Sequence, residues 1–438
     1  MTAQLMLNSQ KRTKFCIANK FLGAILGICL VVSGCAKSDP VIEETPDFID
    51  QNGTAIEVEI DETDYSEYFN KKIEMIEDTA AYRYENGSFI ECGEFKKKAL
   101  LDLADTQDKG LVQIKGSDFY VAGKSVTDSG RYYRNDNRLI AYPEILTTKD
   151  SYTIYSVSKR KQYEGKTSDQ YPVYVLSTED DPRYGILFNN AIYYILADDV
   201  KEITDTGEKI ADTANDIPVL MYHFFYDESL GQTRKEGNFV EVNEFDQQLS
   251  YIEDNGYTCL TMREVQYFME ERALVPPKSI AITIDDADDT VYQYGFKVLK
   301  NHQLRATLFV ICGWQGPEMP WSLWEMRENG IELQSHGFLT HQSGCKNMGH
   351  GGRLLCMPYE DGVDDTKLSF EFVDGGFVYC YPFGDFNEHA KTIIRDAGAR
   401  LAFTTQHGKI NPSMDLLELP RIRVTGGNSL ESFAASIR

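Results

Sequence analysis

One apolar run that ends in two adjacent carboxylates limits what this chain can fold into. Residues 279–284 read SIAITI, and Asp285 and Asp286 follow directly. A run so rich in β-branched residues is typical of a strand that is buried on both faces. Two like charges side by side raise each other's pKa, so they persist where a metal ion or a proton transfer separates their roles. The run therefore predicts a functional site at the end of a buried strand.

From residue 217 onward, apolar strands alternate with amphipathic helices, which is the pattern of an α/β domain. His223, His336 and Tyr381 each follow such a strand, as the aspartate pair does. The carboxyl ends of parallel barrel strands converge on one face, where the βα loops gather catalytic groups. The other predicted strands are residues 219–222, 306–311, 331–334, 377–381 and 401–404.

Three motifs carry a family resemblance: TIDD at residues 283–286, HGFLTH at 336–341 and YPFG at 381–384. In this order, each behind its own strand, they resemble the polysaccharide deacetylases of carbohydrate esterase family 4, which share a nodulation-protein-B-like homology domain. The resemblance covers about half of the chain. It implies that residues 216–438 fold as a distorted (β/α) barrel.

The resemblance assigns Asp286, His336 and His341 to a divalent metal ion, with zinc as the first choice and cobalt or nickel as alternatives. One carboxylate and two imidazoles suit such an ion and leave positions open for water and substrate. Asp285 would be the general base. The two histidines are five residues apart, which turns an α-helix through about 500°, so they would not share a helical face. We therefore expect them on a loop.

The catalytic acid is less obvious, because the C-terminus lacks the Leu-His pair that supplies it in most of the family. Residues 219–223, VLMYH, resemble the first strand of the biofilm poly-N-acetylglucosamine deacetylases, whose motifs are circularly permuted, and this assigns His223 as the acid. The alternative is a buried histidine satisfied by the backbone. The family implies that Tyr381 presents its backbone N–H to the oxyanion. The alternative there is a structural Tyr-Pro turn.

The chain departs from the family at two positions. Ala287 stands where the family usually has glycine, which demands an ordinary backbone angle or some strain. The arginine that often precedes Tyr-Pro and orients the base is absent. Arg421, in the segment LPRI that permuted relatives also carry, is the candidate to contact Asp285 instead. A Gly-rich insertion at residues 344–352 would be either a lid over the site or only a loop.

Residues 1–34 predict a lipoprotein signal peptide. Four basic residues precede an apolar run at residues 21–32, and small residues lead to Cys35. We expect Cys35 to be acylated, which would anchor an extracytoplasmic protein to the membrane of the cell envelope. An ordinary secretory signal is the alternative. Residues 35–64 are acidic and predict a tether.

Loss of residues 1–34 removes four positive charges and no negative ones, so the net charge of −24 becomes −28. Such acidity argues against nucleic acid as a partner. Six cysteines follow Cys35, without a Cys-x-x-Cys motif. Cys345 and Cys356 would close a disulfide in an oxidising compartment or remain unpaired thiols.

The region before the α/β domain is rich in short β-type runs and contains an internal repeat. Residues 111–126 correspond to residues 185–200 at an offset of 74. The repeat predicts two small all-β domains, residues 65–140 and 141–215, and both look like the SH3-like barrels of bacterial envelope proteins. Their tyrosines would fill the small cores or line a groove that binds the cell wall.

Together these features favour one hypothesis. The protein would be a metal-dependent hydrolase that removes N-acetyl groups from an amino-sugar polysaccharide of the cell wall or an exopolysaccharide. An esterase acting on O-acetylated polysaccharide would use the same apparatus. A non-catalytic lipoprotein that binds the cell wall is the alternative from a different class.

Overall fold

The computed structural model describes residues 48–59, 61, 63–130, 137–302 and 304–438. These residues belong to one compact unit, Pro46–Arg438. The predicted signal peptide and Cys35 lie outside the described residues, so both stay predictions. Within the described part, no helix has the length and apolarity that a membrane crossing requires.

The first half of the described chain is all β. Its strands are β1 (Phe48–Ile49), β2 (Lys72–Met75), β3 (Thr79–Glu85), β4 (Ser88–Phe95), β5 (Leu100–Asp108), β6 (Leu111–Ile114), β7 (Phe119–Ala122), β8 (Val126–Asp128), β9 (Glu144–Thr148), β10 (Tyr152–Tyr155), β11 (Lys161–Gly165), β12 (Gln170–Val175), β13 (Arg183–Phe188), β14 (Ala191–Leu196) and β15 (Val200–Asp205). Single 3-10 turns lie at Ser66–Tyr68, Gly123–Ser125 and Ala197–Asp199.

The strand order repeats the internal symmetry of the sequence. The hydrogen-bonded path runs β15-β9-β12-β13-β14-β10-β11 and continues β4-β3-β7-β6-β5-β2-β8, so the second half mirrors the first. The two halves meet where β11 pairs antiparallel with β4, at Tyr163 and Phe95. The structure thus contains two β units of equal topology, β2–β8 and β9–β15. Their SH3-like class and the bounds 65–140 and 141–215 remain predictions.

Aromatic side chains mainly fill the cores of these units. Among the tyrosines of these units, Tyr82, Tyr152, Tyr193 and Tyr194 are buried, whereas Tyr84 is exposed. The last part of the predicted tether also differs from expectation, because Phe48 is buried against Phe89 and β1 pairs with β4. The hydrophobic side chains Phe48 and Ile56 pack on the first β unit, so residues 48–59 are not a free acidic linker.

The second half contains the predicted α/β fold. Its strands are β16 (Val219–Tyr222), β17 (Phe224–Tyr226), β18 (Phe239–Glu241), β19 (Thr258–Cys259), β20 (Ser279–Ile284), β21 (Ala306–Val310), β22 (Ile331–Ser335), β23 (Val378–Cys380), β24 (Leu401–His407) and β25 (Leu419–Arg423). Its helices are α1 (Val242–Asp254), α2 (Met262–Met269), α3 (Phe296–His302), α4 (Trp321–Glu328), α5 (Tyr359–Phe372), α6 (Glu388–Asp396) and α7 (Leu430–Ile437).

Seven of these strands close into a parallel barrel in the order β16-β25-β24-β23-β22-β21-β20, because β16 pairs with both β25 and β20. This confirms the predicted (β/α) barrel. Side chains alternate between the two faces of each strand. Ile280 and Leu308 pack outward in the core shared with the helices, whereas the Phe309 and Phe403 rings, 5.9 Å apart, belong to a separate core with Ala281.

The second β unit contacts the barrel through α2 and the loop that follows it. The hydroxyl groups of Tyr194 and Tyr267 are 2.6 Å apart, and Arg272 donates from Nε to the Leu176 carbonyl oxygen at 2.9 Å. This loop leads into the amino end of β20. The β units therefore contact the end of the barrel opposite to the strand termini that carry the predicted catalytic residues.

Candidate metal centre and active site

Three predicted metal ligands meet at the carboxyl ends of β20 and β22. Asp286 Oδ1 lies 3.4 Å from His336 Nε2 and 3.5 Å from His341 Nε2. Ligand bonds of about 2.1 Å in a tetrahedron place neighbouring ligand atoms about 3.4 Å apart. The donor atoms of all three residues lie within 4.8 Å of one another. One carboxylate and two imidazoles at this spacing fit a zinc ion, and cobalt or nickel accepts the same donors.

The second ring nitrogen of His336 fixes its orientation. Nδ1 donates to the carbonyl oxygen of Cys380 at 2.8 Å, which leaves Nε2 facing Asp286. A ligating histidine commonly donates its other N–H to such a carbonyl group. Burial lowers the pKa of His336, but Cys380, Asp286 and Asp285 outweigh it and hold the pKa well above its ordinary value.

The loop between the two histidines is held in place by hydrogen bonds to the side chains of Asp365 and Tyr379. Asp365 of α5 accepts hydrogen bonds from the backbone N–H groups of Phe338 at 3.0 Å and Leu339 at 2.7 Å. Thr340 Oγ1 lies 2.9 Å from the hydroxyl group of Tyr379. No helix includes residues 336–341, which confirms that the five-residue spacing belongs to a loop. His341 thus reaches Asp286 through loop geometry rather than helix periodicity.

Asp285 lies beside this triad and forms an ion pair with Arg421. Its Oδ1 and Oδ2 accept from Nη1 and Nη2 of the arginine, both at 2.7 Å. Arg421 is fully buried, and it also donates to Thr283 Oγ1 and to the Thr404 carbonyl oxygen. Burial raises the pKa of Asp285, but the charge and hydrogen bonds of Arg421 outweigh it and hold the pKa well below its usual range. Asp285 is therefore ionised at neutral pH.

Cys380 occupies the position before Tyr-Pro where the family often has arginine. Its Sγ lies 3.1 Å from Nη2 of Arg421 and 3.6 Å from Oδ2 of Asp285. Burial raises the pKa of this thiol, so it is neutral. Asp285, His336 and Cys380 form a second group of potential metal ligands. Both oxygens of Asp285 are already bonded to Arg421, so the Asp286 triad is the better fit.

His223 follows β16 and faces the same aspartate. Its Nε2 lies 3.9 Å from Asp285 Oδ2, and its buried Nδ1 has no hydrogen-bond partner among the described residues. Burial lowers the pKa of His223 below its ordinary value, and the charge of Asp285 opposes this only in part. The alternative of a histidine satisfied by the backbone therefore does not hold for Nδ1. His223 is a mostly buried, neutral imidazole beside the general-base candidate.

The backbone N–H of Tyr381 is already hydrogen-bonded, contrary to prediction. Its backbone N–H donates to the carbonyl oxygen of Phe403 at 3.0 Å, and its hydroxyl group donates to that of Leu417 at 3.1 Å. The N–H continues the ladder between β23 and β24 by one residue, so it is not free to face an oxyanion. The predicted role of this N–H is wrong for the structure described here. The Tyr-Pro segment forms a turn, the alternative given above.

The backbone turns sharply after Asp285. Asp286 has a φ of 76° and Ala287 a φ of 58°, in the left-handed region that L-residues other than glycine rarely adopt. This confirms strain at the position where the family usually has glycine. The turn lets neighbouring carboxylates diverge, with Asp285 directed at Arg421 and Asp286 directed at the histidines.

The Gly-rich insertion is fastened beside the site. A disulfide joins Cys345 and Cys356, which settles the choice between a bridge and two thiols. Asp385, which directly follows the Tyr-Pro turn, accepts from the backbone N–H groups of His350 at 2.8 Å and Gly352 at 2.9 Å. The insertion is therefore tied to the turn that adjoins the metal triad.

Two aromatic side chains that sequence reasoning missed flank His341. The rings of Phe383 and Trp314 lie 4.6 Å and 5.4 Å from its imidazole. Both are exposed to solvent. The position of Trp314 shortly after a strand end was the available signal, because the other site residues share that placement.

Residues 273–402 match the family model described as Polysaccharide deacetylase. The barrel thus carries the sequence pattern of the polysaccharide deacetylase family. The candidate polysaccharide deacetylase YxkH of Bacillus subtilis (strain 168) is 27% identical over 228 residues, which are 50% of this chain and 76% of YxkH. The poly-beta-1,6-N-acetyl-D-glucosamine N-deacetylase of Staphylococcus aureus (strain MRSA252) is 24% identical over 200 residues, 42% of this chain and 68% of that protein.

Among solved structures, the Streptococcus pyogenes deacetylase PplD in complex with acetate is 26% identical and has a TM-score of 0.45, covering 52% of this chain and all of PplD. The family match confirms that the chain is an enzyme, a hydrolase of the polysaccharide deacetylase class. The matched segment contains Asp285 and the three predicted metal ligands, Asp286, His336 and His341. His223 and Arg421 lie outside it.

Proposed function

We propose that the protein is a metal-dependent enzyme that removes N-acetyl groups from an amino-sugar polysaccharide. The observation that carries this proposal is the approach of Asp286 to both histidines at 3.4 Å and 3.5 Å, directly beside the ionised Asp285. The relative named as an N-deacetylase of poly-β-1,6-N-acetylglucosamine supports the amino-sugar substrate. At 24% identity, this relative does not determine which polymer is the substrate, and the experiment below tests it.

Asp286, His336 and His341 would hold the ion, with zinc as the first choice. A divalent ion at this site would supply a Lewis acid for activating water and polarising the acetyl carbonyl group. Asp285 is ionised and can accept the proton that water loses as its oxygen adds to the acetyl carbon. Arg421 holds the Asp285 carboxylate in one orientation through two hydrogen bonds.

His223 would deliver a proton to the nitrogen as the C–N bond breaks. Acetate and a free amine are then the products, and the proton taken from water is balanced by the one given to the amine. Because burial lowers the pKa of His223, the imidazole is neutral before the reaction. Asp285 Oδ2 lies 3.9 Å from His223 Nε2. The proton that Asp285 accepts from water can therefore pass to His223, which then delivers it to the amine. An amide needs this protonation more than an ester does, because an amine is the poorer leaving group.

We also propose that the protein works outside the cytoplasm, anchored by lipid at Cys35. The disulfide between Cys345 and Cys356 supports an oxidising compartment. The repeated strand order of the two β units supports two small barrels of SH3-like type between the anchor and the deacetylase domain. Such an arrangement suits an envelope polysaccharide as substrate.

The test uses residues 36–438, which lack the signal peptide and the acylated cysteine. The protein is stripped of metal with a chelator, and acetate release from N-acetylglucosamine oligomers is measured before and after zinc or cobalt is restored. We expect release only with metal, and none from Asp286→Asn, which would also fail to retain zinc after dialysis. Metal retention without acetate release from these oligomers, but with release from O-acetylated polysaccharide, would replace the proposal with the esterase. A wild-type protein that retains no metal would refute both.

A further inference from the structure

All tryptophans of the chain lie within eleven residues, and all are exposed. Trp314, Trp321 and Trp324 account for the three tryptophans of the sequence. Their exposed fractions are 62%, 75% and 39%. Large aromatic side chains are costly to expose together, and such a patch commonly marks a binding surface. We call these residues the tryptophan ridge.

The ridge begins at the metal centre. The Trp314 ring lies 5.4 Å from the His341 ring. The 3-10 turn Cys312–Trp314 is bonded to the histidine loop, because Cys312 N–H donates to the Gly337 carbonyl oxygen at 3.0 Å and Gly313 N–H to that of Phe338 at 3.1 Å. Trp314 is therefore held in a fixed position relative to the metal ligands.

Helix α4 continues the ridge away from the site. It starts at Trp321, after the carboxyl end of β21, and runs back toward the amino end of β22. Trp321 and Trp324 are three residues apart, so they share a helix face and are offset by about 4.5 Å along the axis. This offset is close to the length of one sugar residue in an extended polysaccharide.

The far end of the ridge opens into a cleft. Arg327 stacks on Trp324 at 4.3 Å and also lines a cavity of about 480 Å³ between the barrel and the β units. Leu100 and Val157 of the β units form part of its opposite wall. Along the chain, the ridge residues thus run from Trp314 beside His341 to Trp324, whose neighbour Arg327 lines the cleft.

We propose that the tryptophan ridge binds the polysaccharide chain on the sugars adjacent to the one being deacetylated. The inference rests on the proposed function and deepens it, since it makes the enzyme selective for long polymers. Exposed indole faces stack on the apolar C–H faces of pyranose rings. Trp314 lies beside His341, so a polymer with one acetamide at the metal can leave the site toward the ridge.

Charge argues against a lipid surface as the occupant. Helices that lie on anionic membranes carry Lys and Arg on their polar face. The segment around the ridge instead carries Glu318, Glu325 and Glu328 with a single cation, Arg327. An uncharged or amine-bearing sugar polymer is compatible with this acidity.

The experiment compares the double variant Trp321→Ala/Trp324→Ala with the wild-type protein, both loaded with zinc. We expect kcat/KM for the N-acetylglucosamine hexamer to fall at least tenfold, while kcat/KM for the dimer stays within twofold. Both substituted residues are exposed and neither touches the metal triad, so thermal unfolding checks only that the fold is retained. Leu368→Ala, an exposed apolar residue of α5 that is 46% exposed, is the matched control and should change neither value.

Intrinsic fluorescence gives a readout that does not depend on catalysis, because every tryptophan of the chain is in the ridge. The hexamer should shift or quench the emission of wild-type protein and of Asp285→Asn, and the dimer should do so far less. If hexamer and dimer are deacetylated equally by wild type and double variant, the ridge proposal is wrong while the deacetylase proposal stands. If the hexamer changes fluorescence but no acetate appears, the ridge proposal stands and the catalytic proposal fails. Quenching by brominated phosphatidylglycerol vesicles, without any effect of the hexamer, would assign the ridge to lipid.

Discussion

Arg421 is buried in the barrel and donates one hydrogen bond to each carboxylate oxygen of Asp285, both at 2.7 Å. Asp285 directly follows β20 and Arg421 lies on β25, and these two strands do not pair with each other. A buried charge is tolerated only when it is paired and hydrogen-bonded. The carboxylate that we propose as the general base is therefore also part of the barrel core.

We expect Arg421→Ala to lower the free energy of unfolding by about 3–5 kcal/mol, because it leaves the Asp285 charge buried without a partner. Acetate release should fall with it, since the pKa of Asp285 rises once the arginine is gone. Urea unfolding and acetate release measure the two effects. The double variant Asp285→Asn/Arg421→Met should recover most of the stability and none of the activity. Full turnover in Arg421→Ala would remove the arginine from the mechanism.

We expect His223→Ala to reduce release of acetate from an N-acetylated oligomer by about 10²–10⁴-fold, the usual contribution of a general acid. Hydrolysis of 4-nitrophenyl acetate should fall less than tenfold, because its leaving group departs without protonation. The zinc content of the variant should stay unchanged, since His223 is not among the triad. Equal losses on amide and ester would show that His223 acts in some way other than protonating the amine.

Ala287→Gly should stabilise the protein by about 1 kcal/mol. The left-handed conformation costs an L-residue about 1–2 kcal/mol, which glycine avoids, and the greater backbone entropy that glycine loses on folding offsets part of this gain. Acetate release should be retained, since the position of Asp286 does not depend on the methyl group. Ala435→Gly on the exposed face of α7 is the matched control, and it should destabilise by about 0.5–1 kcal/mol. A destabilised Ala287→Gly variant would mean that packing of the methyl group outweighs the strain.

His302 predicts a pH dependence of stability that is separate from catalysis. Its ring nitrogens contact Glu253 at 2.6 Å and Asp246 at 2.9 Å, so it joins α3 to α1. Burial lowers the pKa of His302, but the two carboxylates outweigh it and raise the pKa above its ordinary value. A raised pKa stabilises the fold fully below the unfolded value of about 6.5, and the effect disappears as the pH rises through the folded pKa.

The unfolding free energy should therefore fall by about 1 kcal/mol more in wild type than in His302→Gln between pH 6 and pH 9, the size of a modest ion pair. Urea titrations at the two pH values give this difference. Parallel pH profiles for the two proteins would show that His302 makes no charged interaction in the native state.

The barrel and the clustering of Asp286 with His336 and His341 could be predicted because each depends on local pattern. The strand before Asp285 is a continuous apolar run, and the five-residue histidine spacing excludes a helix face on geometry alone. Strain at Ala287 could be predicted because only glycine adopts the left-handed region freely. All of these properties are encoded within a few residues of one another.

Other features depend on contacts that no local pattern contains. Tyr381 N–H donates to the Phe403 carbonyl oxygen because β23 pairs with β24, and the sequence does not show which strands lie side by side. Residues 48–59 are acidic overall, yet a few apolar side chains suffice to bind them to the first β unit. The exposed face of α4 has no hydrophobic periodicity to signal a function, since its tryptophans lie outside the core.

The closing of the barrel also sets an order of events in folding. Leu220 of β16 pairs with Ile422 of β25, about 200 residues later in the chain, and contacts of such separation form slowly. Asp285 emerges from the ribosome well before Arg421 does. A chain that is cut short before β25 can neither close the ring of strands nor neutralise this carboxylate, so truncated copies should stay open to proteases while complete ones become resistant.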